Sequence, residues 1–260
     1  MRVTPAAVEE ARTACGHVIR AGLELSLDLM CGIPGQDVTS WTTSLDRAVR
    51  IGASHISVYP LTLEPGTPLE VAVDSGLVAV PDADLAADMM LLAEEFLGNE
   101  GMVRYEVSNY ARPGRESRHN TAYWTGAQYA GIGPAAHGML DAVTAVGMGL
   151  LQPGEAEGVA RVRYSNPATL ETYLFGAAEH EVELLTAREA AREDVMLGLR
   201  LTRGVPLAQA EAAGVDAALR ELEVAGLVER ATEGGVERWR TTRRGWLLGN
   251  EVFGRVWAGE

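Results

Sequence analysis

The sequence contains no lysine: all 22 of its basic residues are arginines. Catalysis through a lysine Schiff base is therefore excluded for this chain. Cysteine is almost as scarce, with Cys15 and Cys31 alone. Two thiols are too few for a disulfide framework and point to a reducing, cytoplasmic setting, with Cys31 expected as an inert buried thiol. Uncharged apolar stretches of about 18 residues, which a membrane-spanning helix needs, are also absent. The nearest candidate, residues 131–154, is broken by His137, Asp141 and two prolines. The opening MRVTPAAVEEARTAC places acidic residues where a secretory leader needs an apolar run, so none is expected. Nor is there a serine nucleophile elbow, a phosphate-binding Gly-Lys loop or a zinc signature.

What is present suits a folded core: 260 residues, 47% of them hydrophobic, with 29 glycines. The net charge of -14 repels phosphate backbones and argues against nucleic acid as a partner.

The first half alternates helical and strand-like patterns, the mark of βα units around a parallel sheet or barrel. Residues 5–21 read as a helix, and LELSLDLM (23–30) alternates with period two as a strand that puts Asp28 near its C-terminal end. A helix capped at Thr39 or Ser40 and a strand HISVY (55–59) follow. Pro81 and Asp82 then open a long helix, apolar at Leu85, Met89, Leu92 and Phe96, before a third strand MVRYEV (102–107). Three such units amount to part of a (β/α) barrel, since a whole one needs about 250 residues. The divisions expected are a partial barrel with its loop over 1–138, a connector over 139–185 and a small domain over 186–260. In the connector Asn166-Pro167 starts a helix. In the last part Thr186 caps a helix, two short helices follow, and Gly234-Gly235 joins two strands as a wing. From Ala187 to Glu260 there are 11 arginines against 12 acidic residues. A DNA-reading winged module should be basic.

Two regions could carry chemistry. Asp28, at a strand end, could accept hydrogen bonds from both hydroxyls of a ribose, or simply cap the loop amides of Gly32 and Ile33. Between Arg104 and Tyr129, four arginines (Arg104, Arg112, Arg115, Arg118) face only Glu106 and Glu116, which suggests an anionic partner. They lead into His119-Asn120-Thr121-Ala122-Tyr123-Trp124, where helical spacing sets an imidazole one turn from two aromatics. Imidazole ligates iron, aromatic faces stack on flat rings, and arginine clamps carboxylates. A flat, iron-containing, carboxylated ligand would meet all three. His119 and Asn120 could equally satisfy loop backbone groups, and the same holds for His137.

DLMCGIPGQ (28–36), HISVYPLTLEPGTPL (55–69), YEVSNYARPGRESRHNTAYW (105–124) and YAGIGPAAHG (129–138) resemble the radical SAM heme chaperone HemW family. That family is related to the oxygen-independent coproporphyrinogen III oxidase HemN. VMLGLRLTRGVPL, GLVER and TTRRGWLLGNEVF look like the HemN C-terminal domain, and HNTAYW matches the chaperones' HNxxYW heme-binding motif.

The resemblance implies heme binding and transfer to respiratory proteins, with S-adenosylmethionine and a 4Fe-4S cluster as cofactors and at most peripheral membrane contact. It implies that Asp28 and Thr62, with His137 in a third neighbourhood, contact S-adenosylmethionine. By the same likeness Arg118, His119, Asn120, Tyr123 and Trp124 contact heme, His119 through the iron. The family's CxxxCxxC cluster motif does not occur in these residues, and Cys15 and Cys31 cannot substitute for it. The chain is thus expected to be an N-terminally truncated member, or else half of a split protein or a degenerate paralogue, and unable to cleave S-adenosylmethionine. An oxidase acting on porphyrinogen propionates and a winged-helix binding module are the alternatives.

Overall fold

The structure, a computed structural model, describes residues 5–175 and 180–259. The chain divides into two compact units, Met1–Ser117 and Arg118–Glu260.

In the first unit, helix α1 (Pro5–Arg20) precedes strand β1 (Ser26–Cys31), helix α2 (Val38–Ile51) and strand β2 (His55–Pro60). β1 and β2 pair in parallel, in register from Ser26 opposite His55 to Cys31 opposite Pro60. The helix between them is the crossover a parallel pair requires. Its cap is Asp37, two residues before Thr39 and three before Ser40. Asp37 takes the Ser40 amide at 2.7 Å while the Ser40 hydroxyl takes the Asp37 amide, a reciprocal box that Thr39 cannot make from inside the helix. Trp41, Leu45 and Ala48 form its buried stripe, and Gly52 ends it in the left-handed conformation.

Helices α3 (Pro68–Asp74) and α4 (Ala83–Asn99) follow, the second capped by Asp82. The buried face of α4 is Ala86, Met89, Met90, Ala93 and Leu97. This is about one residue out of phase with the stripe read from the sequence, because the small alanines allow close approach. The Trp41 indole donates to the Met89 carbonyl at 2.8 Å, fixing α2 against α4.

The third strand differs from expectation. Residues 102–107 do not extend as one strand; they form β3 (Val103–Arg104), after which the chain turns back into β4 (Asn109–Ala111). The buried Glu106 carboxylate accepts the Ser108 amide at 3.1 Å and makes that turn. The sheet order is β1-β2-β4-β3, parallel only at β1–β2 and antiparallel at β2–β4 and β3–β4.

The second unit opens with helix α5 (Arg118–Trp124). Strands β5 (His137–Asp141), β6 (Val159–Ser165) and β7 (Glu181–Thr186) form an antiparallel sheet in that order, so residues 139–185 hold a sheet as well as a connection. Helix α6 (Ala142–Gly147), a 3₁₀ turn (Pro153–Glu155) and helix α7 (Leu170–Phe175) lie between the strands. Leu140, Ala145, Leu151, Val162 and Tyr164 form the core beside this sheet. Asn166 does not start α7. It is buried, and its amide nitrogen donates to the carbonyls of Gly131 at 3.1 Å and Gly133 at 2.8 Å.

Helix α8 (Ala187–Gly198) starts at the expected Thr186, with Glu189 completing a capping box. Strand β8 (Val205–Pro206), helices α9 (Leu207–Ala213) and α10 (Asp216–Val224), strands β9 (Val228–Glu233) and β10 (Val236–Thr241), and helices α11 (Arg243–Leu247) and α12 (Gly249–Ala258) complete the chain. The sheet β8-β10-β9 with its helices is a winged arrangement. Gly234 and Gly235 turn the wing with φ of 58° and 79°, the positive pair a tight hairpin demands.

Candidate heme-binding helix and its surroundings

On α5 the side chains at positions i and i+4 share a face. His119 and Tyr123 do so, their rings 4.7 Å apart at 86°, edge to face. Tyr123 in turn meets Tyr129 at 4.5 Å and 68°. Burial and the neighbouring Tyr123 push the Tyr129 hydroxyl above its usual pKa, so it stays a neutral phenol. Arg118 and His119 are exposed, while Asn120, Tyr123 and Trp124 are half-buried. The His119 imidazole has no hydrogen-bond partner among the described residues, so it is not spent on loop backbone groups. It stands as an exposed nitrogen donor backed by a ring, which suits an axial ligand.

Trp124 is held from the other side. The Arg200 guanidinium lies 5.1 Å from the Trp124 ring centroid and 4.2 Å from that of Phe253, between two aromatic faces. Nothing in the sequence pattern singled out Arg200, since cation–π pairing across 76 residues leaves no local spacing to read.

The basic patch inferred from residues 104–129 is largely spent within the first unit. Arg104 pairs with Glu94 at 2.9 Å and Arg115 with Glu24 at 3.0 Å, while Arg112 donates to the Glu100 carbonyl. Arg118 alone of the four has neither an ion pair nor a side-chain hydrogen bond among the described residues.

Asp28 is the third of six residues in β1 rather than its end, because the strand runs on to Cys31. It is exposed, opposite Ser57, and caps no loop amide among the described residues. The Ile33 amide goes to the Gln36 side chain, which also donates to the Met30 carbonyl. Thr62 is exposed just past β2. His137 is exposed at the start of β5 and lines a cavity of about 420 Å³ with Tyr129, Arg163, Tyr164 and Glu183. Asp28 and Thr62 lie in the first unit and His137 in the second.

Beside that cavity lies an ion network the sequence reading missed. The buried Glu193 of α8 accepts from Arg161 at 2.6 Å and Arg163 at 2.9 Å; Arg161 also pairs with Asp194, and Arg163 with Glu183. It ties β6 to α8 and to β7.

The described residues include no group of three or more His, Cys, Asp or Glu side chains placed to hold a metal ion. Cys15 and Cys31 are both buried and free, and burial raises the Cys31 thiol to about 11. They do not fit a 4Fe-4S cluster, which needs thiolates. No described helix is long and apolar enough to cross a membrane.

Residues 185–248 match the HemN C-terminal domain family. The fold is HemN-like: a solved structure titled "Coproporphyrinogen III oxidase (HemN) from Escherichia coli is a Radical SAM enzyme" aligns at a TM-score of 0.64 and 17% identity. That alignment covers 95% of this chain and 58% of that one. Within this class, the chain is a relative of the HemW heme chaperones. The Mycobacterium tuberculosis (strain ATCC 25618 / H37Rv) protein named heme chaperone HemW is 36% identical, over 93% of this chain and 57% of its own length. The Bacillus subtilis heme chaperone HemW is 33% identical, over 88% and 58%. A Mus musculus protein, "Radical S-adenosyl methionine domain-containing protein 1, mitochondrial", is 39% identical over 70% and 40%. The chain spans a little over half the length of the bacterial relatives named here.

Proposed function

We propose that this chain binds heme on α5 and hands it on, as the name heme chaperone of its HemW relatives suggests, its acceptors being heme-dependent respiratory proteins. The observation that carries the reading is the exposed, unbonded His119 imidazole set edge-on to Tyr123. In it the HNTAYW motif becomes a nitrogen donor beside aromatic rings on one short helix. His119 would bind the iron of the cargo, Tyr123 and Trp124 would offer ring faces to the porphyrin, and Arg118 and Asn120 would offer hydrogen-bond donors at its edge.

S-adenosylmethionine fits Asp28 and Thr62 chemically. An exposed carboxylate and hydroxyl, neither engaged by a backbone cap, are free to bond ribose and amino-acid groups. When bound, S-adenosylmethionine supplies a sulfonium reagent; these residues only hold and orient it. The cluster of the family finds no fitting ligands here, so no step is drawn through it.

The test is a hemin titration of the full chain read by the Soret band. His119→Ala is expected to abolish the wild-type band shift and weaken binding about tenfold or more. An unchanged shift and affinity in the variant would reject His119 as the ligand and, with it, this reading.

A further inference from the structure

Next to Trp124 the second unit encloses a cavity of about 300 Å³ that none of the residues discussed as heme contacts, apart from Trp124, accounts for. Its wall combines Trp124 of α5, Asp194 of α8, Arg203, Gln209 of α9 and Arg238 of β10. The charge here is the opposite of the chain's average. In a protein of net charge -14, two guanidinium groups line one small cavity, and a third, Arg200, stacks on the same tryptophan.

The acids nearby do not cancel this charge. Asp194 is taken by Arg161 at 2.7 Å. Glu233 stands 3.9 Å from Arg238 and is two-thirds exposed, which leaves a weak, water-screened pair. Arg203 is exposed and has no ion pair or hydrogen bond among the described residues. Arg238 spends one terminal nitrogen on the Gly204 carbonyl at 3.2 Å; its buried Nε makes no hydrogen bond and is the atom that Glu233 approaches, while its second terminal nitrogen has no hydrogen bond among the described residues. Planar guanidinium groups match a carboxylate best.

We infer that this cavity takes a carboxylate of the porphyrin, a propionate, held by Arg203 and Arg238 with Gln209 beside them. The inference rests on the heme-binding reading of α5 and extends it to the winged part of the unit. The scale fits: from His119 to Trp124 the helix rises by about 7.5 Å, comparable to the reach from a porphyrin's central metal to its side-chain carboxylates. One wall residue, Trp124, belongs to the same helix as the proposed iron ligand. The porphyrin would thus be gripped at its metal by α5 and at its acidic edge by the wing.

The experiment uses iron-free mesoporphyrin IX and its dimethyl ester, followed by porphyrin fluorescence with the full chain. Without iron the readout does not depend on His119. The wild type should bind the diacid about tenfold more tightly than the ester. Arg203→Gln, an exposed change that leaves folding intact, should remove most of that preference, and Arg203→Gln with Arg238→Gln should remove it all. In a parallel hemin titration both variants should keep the wild-type Soret position. Equal affinity of the wild type for acid and ester, or an undiminished preference in the double variant, overturns the propionate clamp. Failure of His119→Ala to alter the hemin spectrum, with the acid preference intact, would overturn the iron-ligand reading and leave the clamp standing.

Discussion

The imidazole of His119 and the phenol ring of Tyr123 meet at nearly a right angle, their centroids 4.7 Å apart, one helical turn along α5. The ring edge fixes the imidazole's orientation before any ligand arrives. That matters because an axial ligand must present its lone pair along one direction, and an unsupported exposed histidine samples several rotamers.

Edge-to-face pairs contribute about 0.5–1.5 kcal/mol beyond the area they bury. Tyr123→Leu, which keeps bulk and removes the ring, should therefore weaken hemin binding by about three- to tenfold while the Soret position stays that of the wild type. A shifted band instead would make Tyr123 a direct participant in ligation.

Among the described residues, Glu193 is the only carboxylate that meets both Arg161 and Arg163. Replacing it with alanine leaves Arg161, whose side chain is only 13% exposed, short of its buried partner. Breaking a buried pair of this kind costs about 3–5 kcal/mol. Urea denaturation should show that loss, and a Glu193→Ala protein with an unchanged midpoint would mean the network contributes nothing to stability.

His55 is buried between the Ser26 hydroxyl and the Tyr105 hydroxyl, each 2.9 Å from a ring nitrogen. Burial holds its pKa below the ordinary 6.5, against the smaller upward pull of Glu106 and Asp28. The folded state therefore resists protonation more than the unfolded one. Its contribution is present above pH 6.5 and is lost as the pH falls through the folded-state pKa. Melting temperature measured from pH 7.5 down to about 5 should fall more steeply for the wild type than for His55→Gln. Parallel curves would remove His55 as the cause.

The Cys31 thiol is fully buried and raised to about 11. Only a small fraction is thiolate at neutral pH, so alkylation by iodoacetamide at pH 8 should be slow in the folded protein and fast in urea. Rapid native labelling at Cys31 would contradict the burial.

Local patterns carried most of the element plan. The alternation in β1, the glycine after α2, Thr186 before α8 and the paired glycines of the wing are all signals within a few residues. The turn at Glu106 was not legible, because a buried carboxylate bonding the amide two residues on looks in sequence like any strand interruption. The charge argument failed for a related reason. Arg104 and Arg115 cluster in sequence, but Glu94 and Glu24 meet them from other elements. Conversely, Arg200, Arg203 and Arg238 gather near Trp124 from a long span of chain that reads as neutral. The candidate site was visible as the motif HNTAYW; what supports it from behind was not.

The seat of Arg200 between Trp124 and Phe253 has a practical side. The match to the HemN C-terminal domain stops at residue 248, and Phe253 lies five residues further on, in α12. A polypeptide ended at that boundary would leave the guanidinium with one aromatic face instead of two. Its effect would be felt at α5, far away in sequence, as a loosened tryptophan. Where the recognisable domain ends is therefore not where its influence on α5 ends.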